Sequence, residues 1–66
     1  MLVTVNGEPR TLEPGTTVGA LLAHLGLDKA ICAAEVNHEV VPRRERDARE
    51  LAEGDVVELV TLVGGG

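Results

Sequence analysis

The most constraining feature of this sequence is the set of side chains available for its core. The chain has 66 residues and no Phe, Tyr or Trp, while 44% of its residues are hydrophobic and nearly all of these are Val, Leu and Ala. A domain of this length buries only about 60% of the surface that its unfolded chain exposes. The sequence therefore predicts one domain, with a core of many small aliphatic contacts and little room for an internal ligand pocket.

The charge balance limits the partners that the chain can attract. Six basic and eleven acidic residues give a net charge of -5. Nucleic acids and anionic membranes repel such a chain, so we expect neither as a partner and instead expect proteins with basic docking surfaces. Arg43, Arg44 and Arg46 do cluster, but acidic residues are interleaved with them. We interpret this run as a solvated turn rather than as a binding patch.

Three features bear on the compartment. Cys32 is the one cysteine, so no intrachain disulfide is possible. No apolar run approaches the length of a membrane span, and the N-terminus lacks the basic and apolar regions of a secretory signal. Together these features predict a cytoplasmic protein.

The N-terminal third predicts a hairpin followed by a helix. Residues 1–5 and 8–13 read as two strands around Asn6-Gly7, a dipeptide that accepts the positive φ angles of a tight turn. This pairing puts Met1 opposite Leu12, with Arg10 on the same core-facing side. Thr17, or Thr16, is placed to cap the helix. The buried stripe of the helix consists of Val18, Leu21, Leu22 and Leu25. Gly26 fits the left-handed position just past the helix end.

The rest of the chain predicts three further strands. Residues 31–36 form the third, with Glu35 on the polar face and Cys32, Ala34 and Val36 inward, and residues 40–41 form a short fourth strand. Residues 43–52 are charged, with Leu51 as their apolar anchor, and predict a short helical turn. Residues 56–63 form the last and longest strand.

The fold class that follows is α+β. The predicted order is ββαββ with a short helical turn before the last strand, in a mixed sheet that carries one main helix across one face. Residues 1–63 are predicted to form this domain, and residues 64–66 a flexible glycine tail.

The tail Gly64-Gly65-Gly66 is the unusual chemical feature. Glycines without side chains add nothing to a core, so the simplest interpretation is a frayed end. However, the tail follows a strand that should be central and therefore rigid, and three extended residues reach roughly 10 Å. Such a thread could carry the carboxylate of Gly66 into a narrow channel of a partner. A carboxylate needs activation, for example as an acyl-adenylate, after which a sulfur nucleophile would leave a thiocarboxylate. No residue of the chain is predicted to catalyse these steps, so we expect partner enzymes and no enzymatic activity.

The whole chain resembles the ThiS-type sulfur carriers of thiamine biosynthesis, small β-grasp proteins related in fold to ubiquitin. The residues that carry the resemblance are Val3 to Gly7, Thr17-Val18 with Leu21-Leu22, Val36-Asn37 with Val41-Pro42-Arg43, Gly54-Asp55 and the terminal Gly65-Gly66.

The resemblance implies a route for sulfur. Gly66 would be adenylated by an E1-like activating enzyme that uses Mg-ATP, and would receive sulfur from a cysteine desulfurase or another donor. The thiocarboxylate would then deliver sulfur to thiazole synthase. Gly65 and Gly66 match the family's diglycine, and Gly64 sits where a small residue is usual. No cofactor is expected to be bound stably.

Other candidate sites rest on single residues. We interpret Cys32 as a buried, inert thiol, and His24 and His38 as exposed polar residues, because one Cys and two His at these spacings match no zinc pattern. No metal site is therefore predicted. Val60 and Leu62 share the outer face of the last strand with Glu58, and we expect them to form an apolar docking patch near the tail.

Two alternative functions stay open on these grounds. One is a sulfur carrier for another pathway, chiefly the small subunit of molybdopterin synthase. The other is a ubiquitin-like modifier, which would form isopeptide bonds to lysines, or an interaction module, which would not need its diglycine.

Overall fold

The computed structural model describes residues 1–28 and 32–61. Within them lie five strands, one α-helix and one 3₁₀ turn. The strands are β1 Leu2–Val5, β2 Glu8–Thr11, β3 Cys32–Val36, β4 Glu39–Val40 and β5 Val56–Thr61. The helix α1 is Val18–His24, and the 3₁₀ turn is Arg43–Glu45. No helix within these ranges is both long enough and apolar enough to cross a membrane.

A single mixed sheet contains all five strands in the order β2-β1-β5-β3-β4. The last strand, β5, is central, as the sequence predicted, and runs parallel to β1 and antiparallel to β3. Its predicted range of residues 56–63 extends beyond the described part of the chain, as does the tail at residues 64–66. The division into a domain of residues 1–63 and a tail therefore stays a prediction.

The N-terminal hairpin has the predicted register. Val3 pairs with Arg10, and the backbone N–H of Leu12 donates to the Met1 carbonyl at 2.8 Å. Both turn residues have positive φ, 50° at Asn6 and 84° at Gly7, which is the combination that gives a two-residue turn the twist of its strands. Arg10 is half-buried on the core side.

Helix α1 begins at the predicted residue but ends at His24, so Leu25, the last member of the predicted stripe, is its C-cap and is partly buried. The Thr17 hydroxyl accepts a hydrogen bond from the Ala20 N–H at 3.0 Å, which satisfies one of the free donors of the first turn. Leu21 and Leu22 are buried, and the chain leaves the helix through Gly26 at a φ of 75°.

The core lies between α1 and one face of the sheet and is entirely aliphatic apart from one thiol. Ala34 and Val36 point inward from β3, and the predicted anchor Leu51 is 5% exposed. The buried members are Val3, Val5, Val18, Leu21, Leu22, Cys32, Ala34, Val36, Val41, Leu51, Val57 and Leu59.

The fourth strand is shifted from its predicted position. Residues 40–41 were expected, but β4 is Glu39–Val40. Val40 is 67% exposed, and Val41 is 3% exposed because it turns into the core while its N–H still donates to the Ala34 carbonyl at 2.8 Å.

The prediction of a solvated arginine run is wrong at Arg46. Arg43 and Arg44 are exposed, but Arg46 is 9% exposed, and its Nη2 donates to the Cys32 carbonyl at 2.5 Å. The cause is that the backbone after the 3₁₀ turn packs on the start of α1. There the N–H groups of Val18 and Gly19 donate to the carbonyls of Arg49 and Arg46, both at 2.9 Å. These bonds satisfy further donors of the first helical turn and draw Arg46 inward.

Candidate functional site

The strand that leads to the glycines is fixed by backbone pairing on both sides. On one side, Val56 and Val57 of β5 pair with β1. On the other side, β5 pairs with β3 from Val57 as far as Thr61, the last described residue before the tail. Because β5 is central and its inward residues Val57 and Leu59 are buried, the segment before the tail is held firmly in the sheet.

Asn6 extends the pairing beyond the end of β1. Its backbone N–H donates to the Val57 carbonyl at 2.9 Å. Its side-chain amide makes the two hydrogen bonds that the backbone of a neighbouring strand would make. Oδ1 accepts from the Leu59 N–H at 2.8 Å, and Nδ2 donates to the Leu59 carbonyl at 3.2 Å. The same residue therefore forms the hairpin turn and anchors the middle of β5.

Asn37 does the equivalent at the end of β3. Its N–H donates to the Val56 carbonyl at 2.7 Å, and its side-chain Oδ1 accepts from the Val56 N–H at 2.9 Å. Its Nδ2 donates to Oδ1 of Asp55 at 3.0 Å, and Oδ2 of Asp55 accepts from the Ala52 N–H at 2.7 Å. We call this group of Asn37, Asp55 and their two backbone partners the Asn37–Asp55 clasp, and it fixes the start of β5.

The face of the sheet opposite α1, called the outer face below, carries exposed valines. Val60 is 59% exposed, which confirms the predicted orientation of β5, and Val56 is 39% exposed two residues before Glu58. Val40 joins this face because it pairs with Glu35 of β3. Leu62, the other residue predicted for the docking patch, lies outside the described residues.

Comparison of the sequence with models of known protein families identifies the family of this chain. The model of the ThiS family matches residues 3–66. This chain belongs to the ThiS family. The resemblance inferred from the sequence is thereby confirmed, and so is the α+β, β-grasp fold class.

Individual relatives of this ThiS-family chain agree with the match. It is 42% identical to the sulfur carrier protein ThiS of Thermus thermophilus over 65 residues, which are 98% of this chain and all of that protein. The crystal structure of the thiamine biosynthesis protein ThiS from Geobacter metallireducens superposes with a TM-score of 0.84 at 38% identity, with all of both chains covered.

A longer relative has a different name. The chain is 39% identical to a thiazole synthase of Paramagnetospirillum magneticum over 66 residues, which are all of this chain but only 20% of that protein. This ThiS-family chain thus spans one fifth of the length of that relative.

The remaining sequence predictions fall into two groups. Gly64, Gly65 and Gly66 lie outside the described residues, so their roles stay predictions. Among the described residues, Cys32 is buried as predicted, with its Sγ 3.5 Å from the Ala33 carbonyl, and His24 is exposed on α1.

One group of side chains in this ThiS-family chain has the composition of a metal site. Glu35, His38 and Glu58 each offer one ligand atom, and these atoms all lie within 4.8 Å of one another. His38 is exposed, as predicted, but the spacing of Cys and His in the sequence could not reveal its two carboxylate neighbours. Only the register of β3 against β5 brings them together.

The sequence also left two valines of the outer face unnoticed. Val56 could have been found, since it lies two residues from Glu58 in the same strand and alternation puts it on the same face. Val40 could not have been found, because the face to which its side chain points depends on the residue at which β4 begins. The side-chain roles of Asn6, Asn37 and Asp55 were missed as well, although all three lie in motifs that carried the resemblance, the two asparagines in turns and Asp55 directly before β5.

Proposed function

We propose that this protein is a sulfur carrier of thiamine biosynthesis and that the carboxylate of Gly66 carries the sulfur. The observation that carries the proposal is the family match, which includes the three terminal glycines within residues 3–66. The match to the Thermus thermophilus sulfur carrier over that protein's entire length supports it.

The position of β5 suits this role. The five residues after Thr61 span at most roughly 17 Å when fully extended. A short thread that starts from a fixed central strand would present its end at a defined distance from the docking surface. Glycines at the end would pass through a channel in which a Cβ atom would clash.

The proposed chemistry takes place on partner enzymes. An E1-like enzyme would use Mg-ATP to convert the Gly66 carboxylate into an acyl-adenylate with release of pyrophosphate. Sulfide would attack the carbonyl carbon and displace AMP directly, whereas a persulfide supplied by a cysteine desulfurase or another donor would first give an acyl disulfide, which an external thiol would then reduce. The product is a thiocarboxylate, a better nucleophile than the carboxylate that it replaces. The carrier itself would act as a co-substrate, with no catalytic residue of its own and no stably bound cofactor.

Thiazole synthase is the proposed acceptor of the sulfur. A thiazole synthase of Paramagnetospirillum magneticum contains a stretch that is 39% identical to the whole of this chain. A carrier-like segment within an enzyme of that name supports a functional connection between the two. In this scheme the thiocarboxylate would release its sulfur to the thiazole and return to the carboxylate by taking an oxygen atom from water or from the substrate that accepts the sulfur.

The outer face is the proposed docking surface for the activating enzyme. Val60 and Val56 are exposed there in the same strand that leads to the tail, and the alternation in the sequence predicts that Leu62 shares their face. Exposed apolar side chains in a cluster often mark a partner surface. Glu58 lies between the two valines and would complement a basic partner, in keeping with the net charge of -5.

Mass spectrometry after a defined reaction tests the proposal. The purified protein is incubated with its activating enzyme, Mg-ATP and a sulfide source, and the intact mass and the C-terminal peptide are measured. We expect the mass change of one oxygen replaced by sulfur, located at Gly66 and dependent on ATP. An unchanged mass with an enzyme preparation that converts another carrier would contradict the proposal.

The same reaction separates the alternatives once candidate acceptors are added to it, namely thiazole synthase, the large subunit of molybdopterin synthase and other proteins with exposed lysines. A molybdopterin-pathway carrier would also form the thiocarboxylate but would pass its sulfur to the large subunit of molybdopterin synthase and not to thiazole synthase. A modifier would instead appear as isopeptide conjugates on lysines of other proteins. An interaction module would give no product at all.

A further inference from the structure

Two carboxylates lie directly opposite each other on the outer face. Glu35 of β3 pairs with Glu58 of β5 in the antiparallel register, so both side chains project from the same face. Like charges directly opposite each other on neighbouring strands destabilise a sheet.

An imidazole completes the group. His38 lies in the turn after β3, where its φ of 71° and the φ of 52° at Asn37 return the chain toward β4. The ligand atoms of His38, Glu35 and Glu58 all lie within 4.8 Å of one another. The turn is held in place by the Asn37–Asp55 clasp, so the imidazole is attached to a fixed part of the backbone.

The donor set indicates which ions would fit. Mg²⁺ and Ca²⁺ favour sites made only of oxygen ligands, whereas an imidazole nitrogen with carboxylates favours zinc and its transition-metal neighbours. Ligand atoms on a tetrahedral zinc lie roughly 3.4 Å apart, given bonds of about 2.0–2.2 Å. Glu58 and His38 are exposed, so their side chains have room to rotate toward a bound ion.

We propose that Glu35, His38 and Glu58 form a binding site for one divalent transition-metal ion such as zinc. The ion links β3, β5 and the turn between β3 and β4, and it neutralises the repulsion between the two carboxylates. Three protein ligands leave a fourth position for water or a partner group. The site lies two residues from Val60 along β5, so occupancy changes the charge of the proposed docking surface.

Titration of the tag-free, full-length protein with zinc chloride tests this proposal. Calorimetry in a buffer that does not coordinate metals measures the stoichiometry and the dissociation constant, and thermal unfolding with and without zinc reports binding to the folded state. We expect one zinc per chain and a higher midpoint of unfolding when zinc is present.

Matched variants assign the ligands. His38→Asn keeps a residue that tolerates positive φ, and Glu58→Gln keeps the side-chain shape, while each removes one ligand. Because loss of even an outer-shell partner weakens metal sites by about tenfold or more, we expect at least that loss in each variant. His24→Asn removes the other histidine and should bind zinc like the unmodified protein.

Cobalt provides a second readout that separates this site from the thiol. Co²⁺ bound by oxygen and nitrogen ligands shows no thiolate charge-transfer band, whereas binding to Cys32 would produce one. The proposal is overturned if the protein binds no zinc at micromolar concentrations, if His38→Asn and Glu58→Gln bind as well as the unmodified protein, or if the cobalt complex shows thiolate ligation.

Discussion

The Asn37–Asp55 clasp should contribute a large share of the stability of this small domain, and Asn37→Gly tests this. Glycine adopts the φ of 52° without strain, so the change removes the side chain and leaves the turn. Two hydrogen bonds are lost, one to the Asp55 carboxylate at 3.0 Å and one from the Val56 N–H at 2.9 Å.

The expected loss follows from the type of each bond. A hydrogen bond to a charged group contributes about 1.5–3 kcal/mol and a neutral one about 1 kcal/mol. Val56 is 39% exposed, so water partly replaces the second bond. We therefore expect Asn37→Gly to lower the free energy of unfolding by about 2–4 kcal/mol, including the entropy of the new glycine. The total free energy of unfolding of a domain of this length is roughly 3–10 kcal/mol, so the variant would be only marginally stable.

Urea unfolding followed by far-ultraviolet circular dichroism is the suitable assay, because the chain has no Trp or Tyr to report by fluorescence. His38→Gly is the matched control, since it places a glycine at the next positive-φ residue, at 71°, without removing a hydrogen bond of the clasp. A double-mutant cycle with Asp55→Ala should give a coupling energy of about 1–2 kcal/mol. The reasoning would be refuted if Asn37→Gly cost no more than His38→Gly.

The remaining predictions concern the core, the tail and the docking surface. Leu21→Ala should lower the free energy of unfolding by about 2–5 kcal/mol in the same assay, because the Leu21 side chain is 0% exposed and its removal leaves a cavity; a loss below about 1 kcal/mol would contradict close packing there. Gly65→Val should abolish thiocarboxylate formation, as measured by mass, while leaving the midpoint of unfolding unchanged; normal conversion would argue against a narrow channel. Val60→Asp combined with Leu62→Asp should weaken binding to the activating enzyme by about tenfold or more in a calorimetric titration, since two apolar contacts become charged. Ala20→Asp, on the exposed side of α1, is the control and should bind normally. If the double variant bound the activating enzyme as tightly as Ala20→Asp and the unmodified protein, the docking surface would lie elsewhere.

Local patterns in the sequence were sufficient where each element is specified by neighbouring residues. Asn6-Gly7 defined the hairpin, and the spacing of Val18, Leu21 and Leu22 defined α1, because both signals act within one or two turns of chain. The alternation around Glu58 similarly gave the correct exposed direction of Val60.

Features that depend on distant residues were not predictable in this way. The clasp joins Asn37 to Asp55 across 18 positions, and the group of Glu35, His38 and Glu58 exists only because β3 and β5 are paired in one particular register. Arg46 was misjudged because a charged run normally stays in solvent, whereas here the backbone carbonyl of Arg46 binds the N–H of Gly19 and brings the side chain into the protein.

The central claim is that Gly66 carries sulfur, and the most direct measurement compares the mass of the C-terminal peptide from cells that are making thiamine with its mass from cells that lack thiazole synthase. Cells that lack thiazole synthase should accumulate the loaded form, because its sulfur has no acceptor. We predict a peptide in which one oxygen of the Gly66 carboxylate is replaced by sulfur, at a higher fraction than in cells with the synthase. A peptide that ends only in the ordinary carboxylate under both conditions, or sulfur found on Cys32 instead, would contradict the account.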